Sequence, residues 1–131
     1  MVAIDGKTFR RFCSTKYSKS AIHIVSAWAN SSGLVLGQQK VDEKSNEITA
    51  IPELLTVLEL KGCIVTIDAM GCQKEIVSKI SEKEADYVIA VKKNQPRLYE
   101  NIKNTFSQAI TNPNEFELSS YNTKELGHGR E

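Results

Sequence analysis

At 131 residues, 40% hydrophobic and 25% charged, the chain suits about one domain with a core of its own. No apolar run approaches the roughly 20 residues of a membrane span, and Asp5, Lys7, Arg10 and Arg11 follow Met1 where a signal peptide is apolar, so a cytoplasmic protein without membrane contact is expected. A net charge of +1 excludes the global basicity of a dedicated nucleic-acid binder, and Cys13, Cys63 and Cys72, without C-x-x-C spacing, argue against a disulfide framework or a zinc site.

Val2 to Asp5 reads as a buried strand that ends on an acid and is broken by Gly6. Residues 1–20 hold five basic side chains, Lys7, Arg10, Arg11, Lys16 and Lys19, against Asp5 alone, a cluster that fits either phosphate contact or a solvated face. Phe9 to Ser20 shows no period and is expected to be loop. Ala21 to Ala29 alternates as a strand, with His23 and Trp28 expected to pack. Asn30-Ser31-Ser32-Gly33 then turns the chain into a second β-rich run, Leu34 to Val41, which predicts an antiparallel hairpin.

Ile48, Ile51, Leu54, Leu55 and Leu58 recur at helical spacing. Pro52 suits only the first turn of a helix, so the helix is predicted from Ile51 or Pro52 to Lys61-Gly62. Cys63 to Asp68 is a second strand that ends on an acid, and Gln73 to Glu84 is an amphipathic helix, with Gln73 either capping its turn or touching a ligand. Asp86 to Val91 reads as an internal strand. Pro96 opens a third helix, capped by Asn94 or Gln95, with Leu98, Ile102, Phe106 and Ile110 on one face. Glu115 to Tyr121 resembles the start of a weaker strand.

The order β-β-β-α-β-α-β-α predicts an α/β fold with a mixed five-stranded sheet, helices on both faces, and the first and fourth strands as neighbours. Asp5 and Asp68, 63 residues apart in sequence, then stand side by side. Two adjacent carboxylates repel unless a cation neutralises them. Mg²⁺ takes carboxylate and phosphate oxygens while keeping water, and a pair of such ions suits phosphodiester chemistry. The competing reading of a strand-terminal Asp is a turn former or helix cap. A metal-dependent phosphohydrolase with a Rossmann-like sheet also fits two strand-end acids, but not the initial hairpin, and no G-x-x-x-x-G-K-[ST] phosphate loop is present.

Five stretches carry a family resemblance: Ile4-Asp5-Gly6-Lys7, Lys44-Ser45-Asn46-Glu47-Ile48, Thr66-Ile67-Asp68-Ala69-Met70-Gly71-Cys72-Gln73, Ala85-Asp86-Tyr87-Val88-Ile89-Ala90-Val91-Lys92-Lys93-Asn94-Gln95 and Gly127-His128-Gly129-Arg130. In combination they resemble insertion-sequence transposases of the DDE type, and among them the H-repeat-associated, Rhs-element family. The resemblance implies an RNase H-like catalytic core over residues 1–112 and the start of a β-rich insertion over 113–131. It implies Asp5 and Asp68 as catalytic acids and ligands of Mg²⁺ or Mn²⁺, two ions in the complete site. DNA transposition is the implied function, by strand cleavage at the transposon ends and strand transfer to target DNA, with a homodimer possible in the full-length family.

By the same resemblance Lys7, Lys92, Asn94, Gln95, His128 and Arg130 are candidate DNA contacts. An exposed lysine, for Lys7, and a plain helix cap, for Asn94, are the competing readings. The third acid, a Glu on a helix beyond the insertion, has no counterpart in the sequence, and Glu131 on a terminal loop is a poor substitute. The chain is therefore expected to be the central part of a transposase core, inactive alone, and the alternative is a non-catalytic remnant or DNA-binding fragment.

Overall fold

The β-rich first third of the sequence folds into three long strands, β1 (Val2–Phe9), β2 (Ile22–Ala29) and β3 (Leu34–Val41), joined as antiparallel neighbours. The structure, a computed structural model, describes residues 1–9, 22–41, 47–119 and 121–123, in two units, Met1–Gln95 and Pro96–Glu131. The Asn30–Gly33 turn closes the β2–β3 hairpin as its residues predict. Gly33 takes a φ of +66°, which favours glycine, and its N–H donates to the Ala29 carbonyl at 2.9 Å.

Gly6 does not break β1. It pairs with Val25, and the ladder continues through Lys7, Thr8 and Phe9 opposite Ile24, His23 and Ile22. A run of cross-strand partners along a long hairpin outweighs the weak strand propensity of one glycine. Phe9 is therefore strand, and the rest of the expected Phe9 to Ser20 loop lies outside the described residues.

Helix α1 (Glu47–Val57) starts before Pro52, which sits inside it and not in its first turn. Burial of Ala50, Ile51, Leu54 and Leu55 against the sheet holds the turn that the proline weakens. The helix also stops short of Lys61-Gly62. Its last carbonyls are met by Lys83, whose Nζ donates to the Thr56 and Leu58 carbonyls at 2.8 and 2.9 Å.

Strand β4 (Ile64–Ile67), a single 3-10 turn at Ala69–Gly71, helix α2 (Lys74–Glu82) and strand β5 (Asp86–Ile89) complete the first unit. The sheet order is β3-β2-β1-β4-β5, with β1–β4 and β4–β5 parallel. This is the mixed five-stranded sheet that the sequence predicts, with the first and fourth strands as neighbours, but β5 lies at its edge with Asp86, Tyr87 and Val88 exposed and is not the internal strand expected from its apolar run.

Strand alternation divides the residues between two faces. Val2, Ile4, Val25, Ala27, Val65 and Ile67 are buried with Leu54, Leu55, Ile76 and Ile80 of α1 and α2, which also touch each other. The other face carries Ala3, Asp5, Lys7, Ser26, Trp28 and Val35, which border an open depression. His23 and Trp28 are not core residues. His23 is exposed and hydrogen-bonds Thr8 through Nδ1, and Trp28 is 44% exposed on the open face.

In the second unit α3 (Pro96–Thr111) begins at its proline, as predicted, and carries Leu98, Ile102, Phe106 and Ile110 on one side. The weaker strand expected from Glu115 to Tyr121 is absent among the described residues. Pro113–Glu115 forms a 3-10 turn there instead, with Pro113 at its start. No helix among the described residues is long and apolar enough to cross a membrane.

Candidate functional site

The two acids are positioned by the parallel pairing of β1 with β4. Its last register pair is Ile4 with Ile67, so Asp5 and Asp68 are the next residue on each strand. Adjacent strands run about 4.8 Å apart, which puts the two backbones at neighbouring positions on one edge of the parallel ladder. The side chains of Ile4 and Ile67 enter the core, and Asp5, the next residue of β1, borders the depression on the other face. Asp68 keeps an extended backbone, φ −71° and ψ −179°, and continues the alternation of β4.

Asp5 differs from its expected setting in one respect. It does not end a strand, because β1 runs on and Asp5 itself pairs with Ser26 of β2. What ends at Ile4 is the parallel pairing alone: β4 gives way to a turn there while the antiparallel hairpin continues. Asp5 is thus held from one side by a regular ladder, and Asp68 by a turn.

That turn is specified in detail. Asp68 caps it by accepting a hydrogen bond at Oδ1 from the Met70 N–H at 3.0 Å, which leaves Oδ2 for other partners. The N–H groups of Gly71 and Cys72 donate to the carbonyls of Asp68 and Ala69 at 3.1 and 3.2 Å. Gly71 is required by packing, because a Cβ there would lie 2.3 Å from Cγ2 of Ile67. Of the two readings of Asp68, the structure shows the turn former.

Both carboxylates are exposed, and among the described residues neither forms an ion pair. Two hard oxygen donors that follow adjacent register positions, and that form no ion pair among the described residues, would suit a divalent ion such as Mg²⁺. Among the described residues no group of three or more His, Cys, Asp or Glu side chains is gathered. Cys72 is buried and Cys63 half-buried, both as free thiols, and Cys13 lies outside the described residues.

The candidate contact residues fall into three groups. Lys7 is exposed on the open face, two positions along β1 from Asp5, with its ammonium 5.8 Å from the centre of the Phe9 ring. Lys92 is exposed in the segment after β5, beyond the same end of the parallel strands that Asp68 follows. His128 and Arg130, like Glu131, lie outside the described residues. Gln73 occupies the cap position of α2 but makes no capping bond with its side chain.

Asn94 and Gln95 have a task that sequence reasoning missed. The Asn94 side-chain amide donates to the Ala69 carbonyl at 2.6 Å, and that of Gln95 donates to the Cys72 carbonyl at 2.8 Å. These bonds span 25 and 23 residues, and no local pattern announces them. The available signal is only their place after β5, the strand beside β4.

The chain is similar to known proteins over nearly its whole length. A family model described as "Transposase DDE domain" matches residues 1–130. The chain is 51% identical, over 99% of its length, to the "Putative transposase YncI" of Escherichia coli O157:H7, and covers 33% of that protein. It is 49% identical over its whole length to the "H repeat-associated putative transposase YhhI" of Escherichia coli K12, covering 34% of it. The corresponding values for YbfD of the same strain, which carries the same description, are 48%, the whole chain and 51%. The chain thus spans about a third to a half of the length of these curated relatives. A solved structure of the piggyBac transposase synaptic complex with hairpin DNA superposes with a TM-score of 0.50 at 16% identity, over 71% of this chain and 23% of that one. This last likeness concerns the fold, and it is consistent with an RNase H-like sheet. With its paired acids on neighbouring parallel strands and a family match over nearly its full length, the chain belongs to the DDE transposase domain family.

Proposed function

We propose that Asp5 and Asp68 are the first two acids of a centre that cleaves DNA strands at transposon ends and transfers them to target DNA. The observation that supports this reading is the Ile4–Ile67 register, after which Asp5 and Asp68 are the next residues along the two neighbouring segments. Divalent ions, when bound, supply charge neutralisation and activation of the attacking oxygen. The chain's own part is to hold and aim. Asp5 is fixed by the hairpin ladder, and Asp68 by its capped turn. Lys7 and Lys92 offer point charges to substrate phosphates, with Asn94 and Gln95 beside Lys92 on the same segment. Positioning of the DNA ends then accounts for much of the rate, since no covalent bond to the protein is required.

The family's third acid is not among the described residues gathered at this site, so strand transfer belongs to a longer protein of which these residues form the central core. Residues 113–131 open its β-rich insertion in this reading. Binding of DNA without catalysis is the second reading, and it is supported by the absence, among the described residues, of any group of three or more His, Cys, Asp or Glu side chains that could hold a metal ion.

A transplant tests the proposal. The 131 residues replace the matching segment of a full-length relative, and transposition is scored in cells. The expected result is a chimaera that transposes and loses the activity on Asp5→Asn or Asp68→Asn. A chimaera that keeps full activity with either substitution contradicts the proposal.

A further inference from the structure

We infer that Asn94 and Gln95 are positioning residues for Asp68, a two-point amide clamp through which the segment after β5 fixes the turn that carries the metal ligand. The inference rests on the reading of Asp5 and Asp68 as a shared divalent site. It begins from a mechanical difficulty. Asp68 lies beyond the last residue of β4, where the sheet no longer constrains the backbone. A ligand on an unrestrained turn wanders, and a cation site of few protein ligands tolerates little of that.

The turn from Asp68 to Cys72 is held at both ends. Asn94 Nδ2 donates to the Ala69 carbonyl, one residue after Asp68, and Gln95 Nε2 donates to the Cys72 carbonyl, where the turn hands over to α2. Both bonds are partly shielded from water, which raises the cost of breaking them. The Ala69 carbonyl accepts from the Cys72 N–H as well, so Asn94 and the turn's own backbone meet on one oxygen. Below the turn, Gly71 sits against the Ile67 side chain with no space for a Cβ. The Asp68 backbone is thereby pinned from beneath by packing and from the side by two amides.

A carboxamide suits both places. The partners are carbonyl oxygens, so a carboxylate at either position repels them, while a lysine brings a charge beside the site. Partners of this outer kind typically alter metal affinity 10–100-fold when removed.

The test uses the 131-residue chain and Mn²⁺, with the free ion read by electron paramagnetic resonance. Asp68→Asn reports the underlying site, and Asn94→Ala and Gln95→Ala report the clamp. Loss of binding in Asp68→Asn together with a Kd raised about tenfold in each amide variant is the expected result. Asn94→Asp sharpens it: its added negative charge alone would tighten Mn²⁺ binding, whereas loss of the donor weakens it. Folded amide variants with a lowered Tm and an unchanged Kd, beside an Asp68→Asn that no longer binds, overturn the clamp and leave the two-acid site standing. Mn²⁺ binding indifferent to Asp68→Asn overturns both. A measurement on the unaltered chain stands apart from variant folding: the side-chain amide protons of Asn94 and Gln95 exchange with solvent more slowly than those of exposed Asn101. Equal rates overturn the clamp.

Discussion

Lys7 shows what one residue contributes when the strand register is known. Alternation along β1 puts it on the same face as Asp5, and its ammonium lies 5.8 Å from the centre of the Phe9 ring, which restrains it without neutralising it. In the proposed DNA interface a cation in this place would meet a phosphate and read no base, so its effect would be uniform over DNA sequences. Lys7→Ala is expected to weaken duplex binding equally for all sequences and to reduce the slope of log affinity against log salt by about 0.9. An unchanged slope in a salt titration would remove Lys7 from the DNA interface. The sequence placed Lys7 two positions from the acid, but only pairing through Phe9 shows that the strand continues and that both side chains share a face.

The decisive element is the β4–turn–α2 segment, in which every position from Ile67 to Cys72 has an identifiable duty. Gly71 is the least replaceable of them. Gly71→Ala brings a methyl group 2.3 Å from Ile67 Cγ2, so either the turn or a core side chain has to move. Overpacking of this kind costs about 1–3 kcal/mol, and urea unfolding measures it. A loss below about 0.5 kcal/mol, the range of ordinary surface substitutions, would show that the turn is free to shift. Other elements show where local signals are sufficient. The Asn30–Gly33 turn and the periodicity of α2 and α3 were readable because their determinants lie within a few residues. Gly6 and Pro52 misled because tertiary partners override local preference there: Val25 faces Gly6 across the hairpin, and a buried row from Ala50 to Leu55 carries α1 through its proline.

At the scale of the molecule the sequence supplied the element order, and the order alone was enough to pair β1 with β4 and bring Asp5 to Asp68. It was not enough to show that Asn94 and Gln95 reach back across the site, since contacts over 25 and 23 residues leave no period in the chain. The same topology explains why the acids come from segments so far apart. An antiparallel hairpin fixes the first, a parallel neighbour fixes the second, and the break in parallel pairing leaves both at an open edge. The family match spans nearly the whole chain, and the chain spans about a third to a half of the length of its curated relatives. A divalent cation shared by Asp5 and Asp68 is the central proposal. Paramagnetic broadening by substoichiometric Mn²⁺ in the isotope-labelled chain tests it directly: the amide signals of residues 4–7 and 67–71 should broaden first and together, and Asp5→Asn or Asp68→Asn should each abolish the effect in both segments. Broadening confined to one segment, or insensitive to either substitution, would contradict it.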